Sequence, residues 1–372
     1  MKQQQHKRII ISGGGTGGHV FPAIAIADAL RCELEDPNIL FVGARGKMEM
    51  EKVPQAGYEI IGLPMEGFRR KLSLNNIRVV AKMLVSLHKS GKLIREFKPD
   101  AVVGVGGYAS GPVLRKAAGM DIPTLLQEQN SFAGVTNRLL AKKARKICVA
   151  YEGMEKYFPV NKIILTGNPV RREIRDLGQA GDNSDARKAF QLDNRSKVLL
   201  VLGGSLGART INEALKHGLD LILQQPDISL IWQCGKFYYD DARKFIARQS
   251  GERIILRDFI SRMDLAYQVA DVIIARAGAI TISELCHAAK PAILVPSPNV
   301  AEDHQTKNAQ HLVKHSAALL IPDNEAKESM MKQAVQLLGD EDQKRELSKN
   351  IGFLALPDSA GVIAREIVSM LK

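Results

Sequence analysis

The sequence predicts an α/β protein built as two Rossmann-like, doubly wound parallel-sheet domains facing a cleft. Two patterns carry that reading. Short apolar runs rich in β-branched residues alternate with helix-length segments along the whole chain, as expected of strands buried on both faces. One opening (a strand, a glycine-rich turn, then a helix) also occurs twice, about 190 residues apart, which implies two sheets and not one long one. A chain of 372 residues is long enough for two such domains, each with its own core.

In the first half the strand candidates are Arg8–Ser12, Ile39–Val42, Ala101–Val105, Thr124–Gln127, Lys146–Ala150 and Ile163–Leu165. The second half supplies Lys197–Leu202, Ser229–Gln233, Ile254–Arg257, Asp271–Ala275 and Ala292–Val295. The first glycine turn, Gly13–Gly18, leads into a helix through Leu30, and the second, Gly203–Gly207, into one through Leu215. The joint is expected at Gly167-Asn168-Pro169, where proline ends the strand pattern and favours an extended link. Residues 1–168 then form the first domain and 169–357 the second. Over Ile351–Asp358, Gly352 and Pro357 break helix periodicity. A last amphipathic helix, Ala360–Leu371 within 358–372, is expected to pack back on the first domain.

With 45% hydrophobic and 25% charged residues, the composition excludes a disordered or collagen-like chain. Cys32, Cys148, Cys234 and Cys286 form no C-x-x-C pair, which argues against a disulfide framework or zinc ribbon and for a reducing compartment. The basic start meets only Ile9–Ile11, too short for a signal-peptide core, and no stretch approaches ~18 apolar residues. The cytosol, or a surface facing it, is the expected location. The net charge of +12 is unevenly spread: residues 1–168 hold 25 Lys and Arg against 14 Asp and Glu, the remainder 27 against 26. A polyanionic partner for the first half follows, whether nucleic acid, anionic lipid or phosphorylated substrate.

Gly13, Gly15 and Gly18 satisfy G-x-G-x-x-G, a turn that brings backbone N–H groups and a helix N-terminus to a pyrophosphate. A nicotinamide dinucleotide site also wants an acid at the end of the next strand. Here that strand runs into Gly43-Ala44-Arg45, so the oxidoreductase reading loses its support. His19 follows the glycines, and a neutral imidazole there suits a base for a sugar hydroxyl, its pKa lowered by the helix's positive end. A capping or packing histidine is the plainer alternative. A further glycine turn, Gly104–Pro112, also suits a phosphorylated group.

In the second half Ser205 lies in a glycine turn, and Arg276–Glu284 links a strand to a helix. Thr281 and Glu284 fit a T-x-x-E capping box, or Glu284 accepts ribose hydroxyls while the backbone of Ala279–Thr281 meets a diphosphate. Glu302–Asn308 clusters polar groups suited to sugar hydroxyls or to a helix start. The only D-x-D, Asp340–Asp342, follows no strand, and neither H-E-x-x-H nor a Walker G-K-[ST] occurs, so no metal is expected and Arg171 is the candidate cation for a leaving diphosphate. Glu66–Lys98 carries nine basic and two acidic residues. In it Ile77, Val80, Leu84, Leu87 and Ile94 form the expected core stripe. Phe68, Leu72, Leu74, Val79 and Met83 are surplus apolar groups suited to an anionic lipid surface. A nucleic-acid-binding protein remains conceivable from charge alone, but no helix-turn-helix or aromatic RNA-binding signature accompanies it.

Seven segments, in order, resemble the MurG family: Gly14–Ala23, Gly106–Pro112, Glu128–Asn130, Gly167–Arg171, Gly203–Ala208, Arg276–Glu284 and His304–Ala309. The resemblance implies the two-domain GT-B fold and an inverting, cofactor-free transfer of GlcNAc from UDP-GlcNAc to the 4-hydroxyl of a lipid-linked muramyl-pentapeptide. It places the enzyme peripherally on the cytoplasmic face of the inner membrane, with no nucleic-acid partner. It also implies His19 as base and donor contacts from Thr16, Gly17, Gly18, Asn130, Arg171, Ser205, the backbone of Ile260, Ala279, Ile280, Thr281, Ile282, Ser283, Glu284, Gln305 and Asn308. Gly106, Gly107, Tyr108, Ser110 and Gly111 are the implied acceptor-pyrophosphate turn. Glu128 is a second candidate for the base.

Overall fold

A computed structural model describes residues 6–65, 75–179, 182–193, 196–204, 206–249, 253–300 and 303–371. It divides into two compact units, Met1–Arg171 with Leu356–Lys372, and Arg172–Ala355.

The first unit is a parallel sheet in the order β3-β2-β1-β4-β5-β6-β7. Its strands are β1 (Arg8–Ser12), β2 (Asn38–Ala44), β3 (Glu59–Leu63), β4 (Ala101–Gly104), β5 (Thr124–Glu128), β6 (Lys146–Val149) and β7 (Ile163–Leu165). Helices α1 (Gly17–Glu33), α2 (Glu49–Gln55), α3 (Asn75–Phe97), α4 (Ser110–Ala118) and α5 (Val135–Leu140) connect them. The two faces of β1 explain the layers. Ile9 and Ile11 pack with α1, while Ile10 faces the other side with Ile94 and Leu114 of α3 and α4. Ser12 pairs with both Val42 and Gly104, so the strand order reverses at β1, and the turns after β1 and β4 leave the sheet side by side. Such a switch point is where open parallel sheets receive ligands.

The second unit repeats the plan in the order β10-β9-β8-β11-β12-β13. Its strands are β8 (Lys197–Leu202), β9 (Ile228–Gln233), β10 (Ile254–Arg257), β11 (Val272–Ala275), β12 (Ala292–Leu294) and β13 (Leu319–Leu320). Its helices are α6 (Arg172–Arg175), α7 (Ser184–Ala189), α8 (Arg209–His217), α9 (Leu219–Leu223), α10 (Tyr239–Ile246), α11 (Met263–Val269), α12 (Ala279–Ala288), α13 (His304–Lys314), α14 (Ala326–Gly339) and α15 (Glu341–Phe353). Trp232 is fully buried at its centre, its indole N–H donating to Asn212 Oδ1 at 3.0 Å. A buried indole keeps such a partner because an unmatched N–H would cost about 1–3 kcal/mol.

The last helix, α16 (Ser359–Val368), lies on α1 and puts Ile363, Ala364 and Ile367 into the core of the first unit. Each isoleucine so buried contributes about 1.5–3 kcal/mol.

Three local expectations need correction. β3 and β13, at sheet edges, have no counterpart among the expected strands. Gly352 does not end its helix; α15 runs through it to Phe353. The buried face of α3 is also not the large-apolar stripe: Val80 and Leu84 are exposed, while Val79, expected at the surface, is buried with Ser86, Ser90 and Ile94. Small serines, with Gly91 against the stem of Lys116, let α3 lie close to α4, and the bulkier groups turn outward. The side chain of Ile77 lies outside the described residues, as do Phe68, Leu72 and Leu74.

Candidate functional site

In the first unit the site is built on the glycine turn after β1. Gly14 and Gly15 have φ of +148° and +94°, conformations that side-chain-bearing residues rarely adopt, and they bring the chain round to Thr16, which precedes α1. The N–H groups of His19 and Val20 donate to Thr16 O at 3.0 and 3.2 Å, so His19 stands on the first turn of the helix. Thr16 Oγ1 lies 3.2 Å from His19 Nδ1. The turn after β4 closes over the ring. A Cβ at Gly106 would meet His19 Cδ2 at 2.9 Å and Nε2 at 3.0 Å, and one at Gly107 would meet Gly14 O at 2.3 Å. Two of the sequence's glycine turns are thus one interlocked structure with the imidazole between them.

His19 is half-buried, and its pKa falls to about 4. Desolvation is the main cause; the charge of Glu49 and a hydrogen bond with the Gly14 backbone pull the other way. Burial is the leading cause of the neutral ring.

Ser110 and Gly111 open α4, but the Ser110 hydroxyl is buried and donates to Gly107 O at 2.9 Å, bracing the turn internally. Tyr108 is exposed. The next turn hangs on Glu128, which is 2% exposed and accepts N–H bonds from Asn130, Gly134 and the Asn137 side chain. Burial pushes its carboxyl above the usual range, while these donors favour the carboxylate. Four N–H contacts from three residues make Glu128 the organiser of this loop. Asn130 donates to it through both backbone and side chain. Gln129 reaches Val105 O at 2.7 Å, and Asn168 bridges Gln127 to the Gln129 backbone. The Arg171 guanidinium stacks on Phe21 of α1, 4.7 Å from the ring centroid.

In the second unit the turn after β8 contains Gly204 and Gly207 at φ +76° and +88°; Ser205 lies outside the described residues. Helix α12 starts at Ala279, with Gly278 before it and no acidic residue in its first turn. The capping box is not formed: Thr281 is already the third helical residue, and Glu284 sits on the second turn with Oε2 accepting the Tyr267 hydroxyl at 3.0 Å. Ile280 and Ile282 face the interior, and the Ser283 hydroxyl donates to Ala279 O.

The Ile260 N–H donates to Gln233 Oε1 at 2.8 Å. Gln305 Oε1 accepts the Ser297 N–H at 2.8 Å. Asn308 is fully buried, its amide donating to Ala277 O at 3.4 Å. That contact ties α13 to the segment entering α12. Arg276 likewise serves the scaffold, donating to Val295 O and Pro296 O and pairing with Asp323. Among the described residues no three His, Cys, Asp or Glu side chains gather where they could hold a metal ion.

Residues 9–149 match the glycosyltransferase family 28 N-terminal domain and residues 198–358 the family 28 C-terminal domain. The chain belongs to the MurG family of glycosyltransferases. It is 53% identical over 365 residues to the Bacteroides fragilis UDP-N-acetylglucosamine–N-acetylmuramyl-(pentapeptide) pyrophosphoryl-undecaprenol N-acetylglucosamine transferase, covering 98% of this chain and 95% of that one. The protein of the same name from Phocaeicola vulgatus is 55% identical over 369 residues, covering 99% and 97%. The crystal structure of Acinetobacter baumannii MurG superposes with a TM-score of 0.72 at 28% identity, over 98% of this chain and 99% of that one. The fold is therefore GT-B, as the family resemblance implied.

Sequence reasoning missed Glu49 and Tyr267. The acid sought just after β2 does exist, six residues beyond Gly43, but it turns inward to the glycine loop. Tyr267 gave no signal, because nothing in the sequence links α11 to the second turn of α12.

Proposed function

We propose that this chain transfers N-acetylglucosamine from UDP-GlcNAc to the 4-hydroxyl of a muramyl-pentapeptide carried on a polyprenyl pyrophosphate. The anomeric centre inverts and a β-1,4-linked disaccharide lipid of peptidoglycan synthesis results. The observation that carries this reading is 53% identity, along 98% of the chain, to a transferase named for that reaction.

The residue roles are our own reading of the geometry. His19, already neutral, takes the proton as the acceptor hydroxyl attacks C1 of GlcNAc. The turn Gly106–Gly111, with exposed Tyr108, receives the acceptor's pyrophosphate. Thr16, Gly17, Gly18 and Asn130 meet the donor from the first unit, and Arg171 balances charge on the departing UDP. In the second unit the first turn of α12 holds the donor diphosphate by its N–H groups, Glu284 takes the ribose, and Gln305 the GlcNAc hydroxyls.

No helix among the described residues is long and apolar enough to cross a membrane. Exposed Val80, Leu84 and Val85 share α3 with Lys89 and Lys92, a combination suited to an anionic lipid surface, so the enzyme meets its acceptor peripherally at the cytoplasmic face of the membrane.

The test is transfer of radiolabelled GlcNAc to a lipid-linked muramyl-pentapeptide, with and without chelator. Label in the lipid fraction under both conditions supports the reading. No transfer overturns it, and loss with chelator overturns the cofactor-free mechanism.

A further inference from the structure

Glu49 has no part in the roles assigned above, yet it is buried to 1% exposure at the start of α2. Its Oε1 accepts the Ala44 N–H and its Oε2 the Gly15 N–H, both at 2.9 Å. The carboxyl group also lies flat against the turn, since a Cβ at Gly14 would meet Oε1 at 2.2 Å. Burying a carboxylate is costly, and a loop needing only a brace would be served as well by a neutral group.

The loop links the carboxylate to the imidazole. The Gly15 N–H donates to Glu49, and the next residue, Thr16, carries its Oγ1 to 3.2 Å from His19 Nδ1. The turn after β4 closes over the same loop, since a Cβ at Gly107 would meet Gly14 O at 2.3 Å.

The groups around the ring are Thr16 from the loop, with Glu49 bonded to the adjoining Gly15, and Gly106 with Gln129 beside it; Arg171 stacks on Phe21, further along the same helix. Glu49 is the charge whose field reaches the ring, and it favours the protonated form.

We propose that Glu49 is a positioning residue for His19: by bracing the Gly14–Thr16 loop it fixes the imidazole and supports the positive charge the ring acquires on taking the acceptor's proton. The inference rests on His19 being the base. A histidine oriented by a carboxylate is a familiar catalytic arrangement; here a short stretch of loop, Gly15–Thr16, stands between the two.

The test compares Glu49→Gln, Glu49→Asp, His19→Ala and the double variant His19→Ala/Glu49→Gln, each checked for a native thermal transition. Glu49→Gln is expected to lower kcat roughly 10-fold or more while the KM for UDP-GlcNAc moves less than about 2-fold. Losing the charge lowers the His19 pKa, so the acid limb of kcat/KM should move to lower pH. Glu49→Asp, which keeps the charge, should leave that limb in place and recover most of the turnover, and it carries the test alone if Glu49→Gln does not fold. In the His19→Ala background, Glu49→Gln should cost nothing more. Multiplicative losses in the double variant, an unmoved acid limb in Glu49→Gln, a displaced one in Glu49→Asp, or a rise in KM at constant kcat would each overturn the proposal. His19→Ala at full turnover would remove the base itself, a result distinct from any of these.

Discussion

Replacing Gly107 by alanine should separate the two interlocked turns. At φ +82° the residue lies in the left-handed region, which costs an L side chain about 1–2 kcal/mol. The added methyl would sit 2.3 Å from Gly14 O, a backbone atom that cannot swing aside, so the turns must part by about 1 Å. Overpacking of this kind costs a further ~1–3 kcal/mol. The sum, about 2–5 kcal/mol, corresponds to a fall in melting temperature of roughly 5–15 °C for a domain of this size. Gly15→Ala is the matched control: its φ is +94°, but its Cβ would meet nothing within 4 Å, so only the backbone strain applies. Thermal unfolding of both variants without ligand gives the comparison. A 1 Å displacement beside His19 should also lower kcat roughly 100-fold in Gly107→Ala. Equal melting temperatures for the two variants would refute the interlocking of the turns.

Three further outcomes follow from the described contacts. Since the His19 pKa falls from 6.5 to about 4 on folding, the unfolded chain binds the proton first; stability should decline as pH falls through that window, and His19→Ala should flatten the decline in denaturant titrations. Tyr267→Phe removes the donor to Glu284 and should weaken UDP-GlcNAc binding roughly 2–10-fold by calorimetry, with the fold intact; unchanged affinity would detach Glu284 from the donor. Burial pushes the thiols of Cys148 and Cys286 up to about 12 and that of Cys234 to about 11, so a thiol reagent should label exposed Cys32 alone in the native protein, and rapid labelling of a second would contradict the burial.

Much of the fold was legible because a strand buried on both faces must be a continuous apolar run, and Lys197–Leu202 and Arg8–Ser12 could hardly be anything else. The edge strands were harder to read. In β3, Glu59 and the exposed Ile61 interrupt the pattern, and β13 is only two residues long. The face of α3 was misassigned because apolar periodicity assumes that large side chains face inward, whereas this contact is made by Ser86, Ser90 and Gly91. At the candidate site, His19 and the glycines stood out by residue type and spacing. Glu49 and Tyr267 did not, since each acts through a tertiary contact that no local pattern encodes. The T-x-x-E motif forms no capping box for the opposite reason, a local pattern overridden by a helix that begins three residues earlier than the motif requires.

The placement of α16 has a consequence for how the chain matures. The sheet of the first unit, whose strands all precede Arg172, keeps part of its apolar core uncovered until Ile363, Ala364 and Ile367 have been synthesised. The middle of the polypeptide, Arg172–Ala355, holds all its own strands and can close before then. The first unit should thus finish assembling after the second, and a nonsense codon just before Ile363 would leave its sheet open to the cell's proteases.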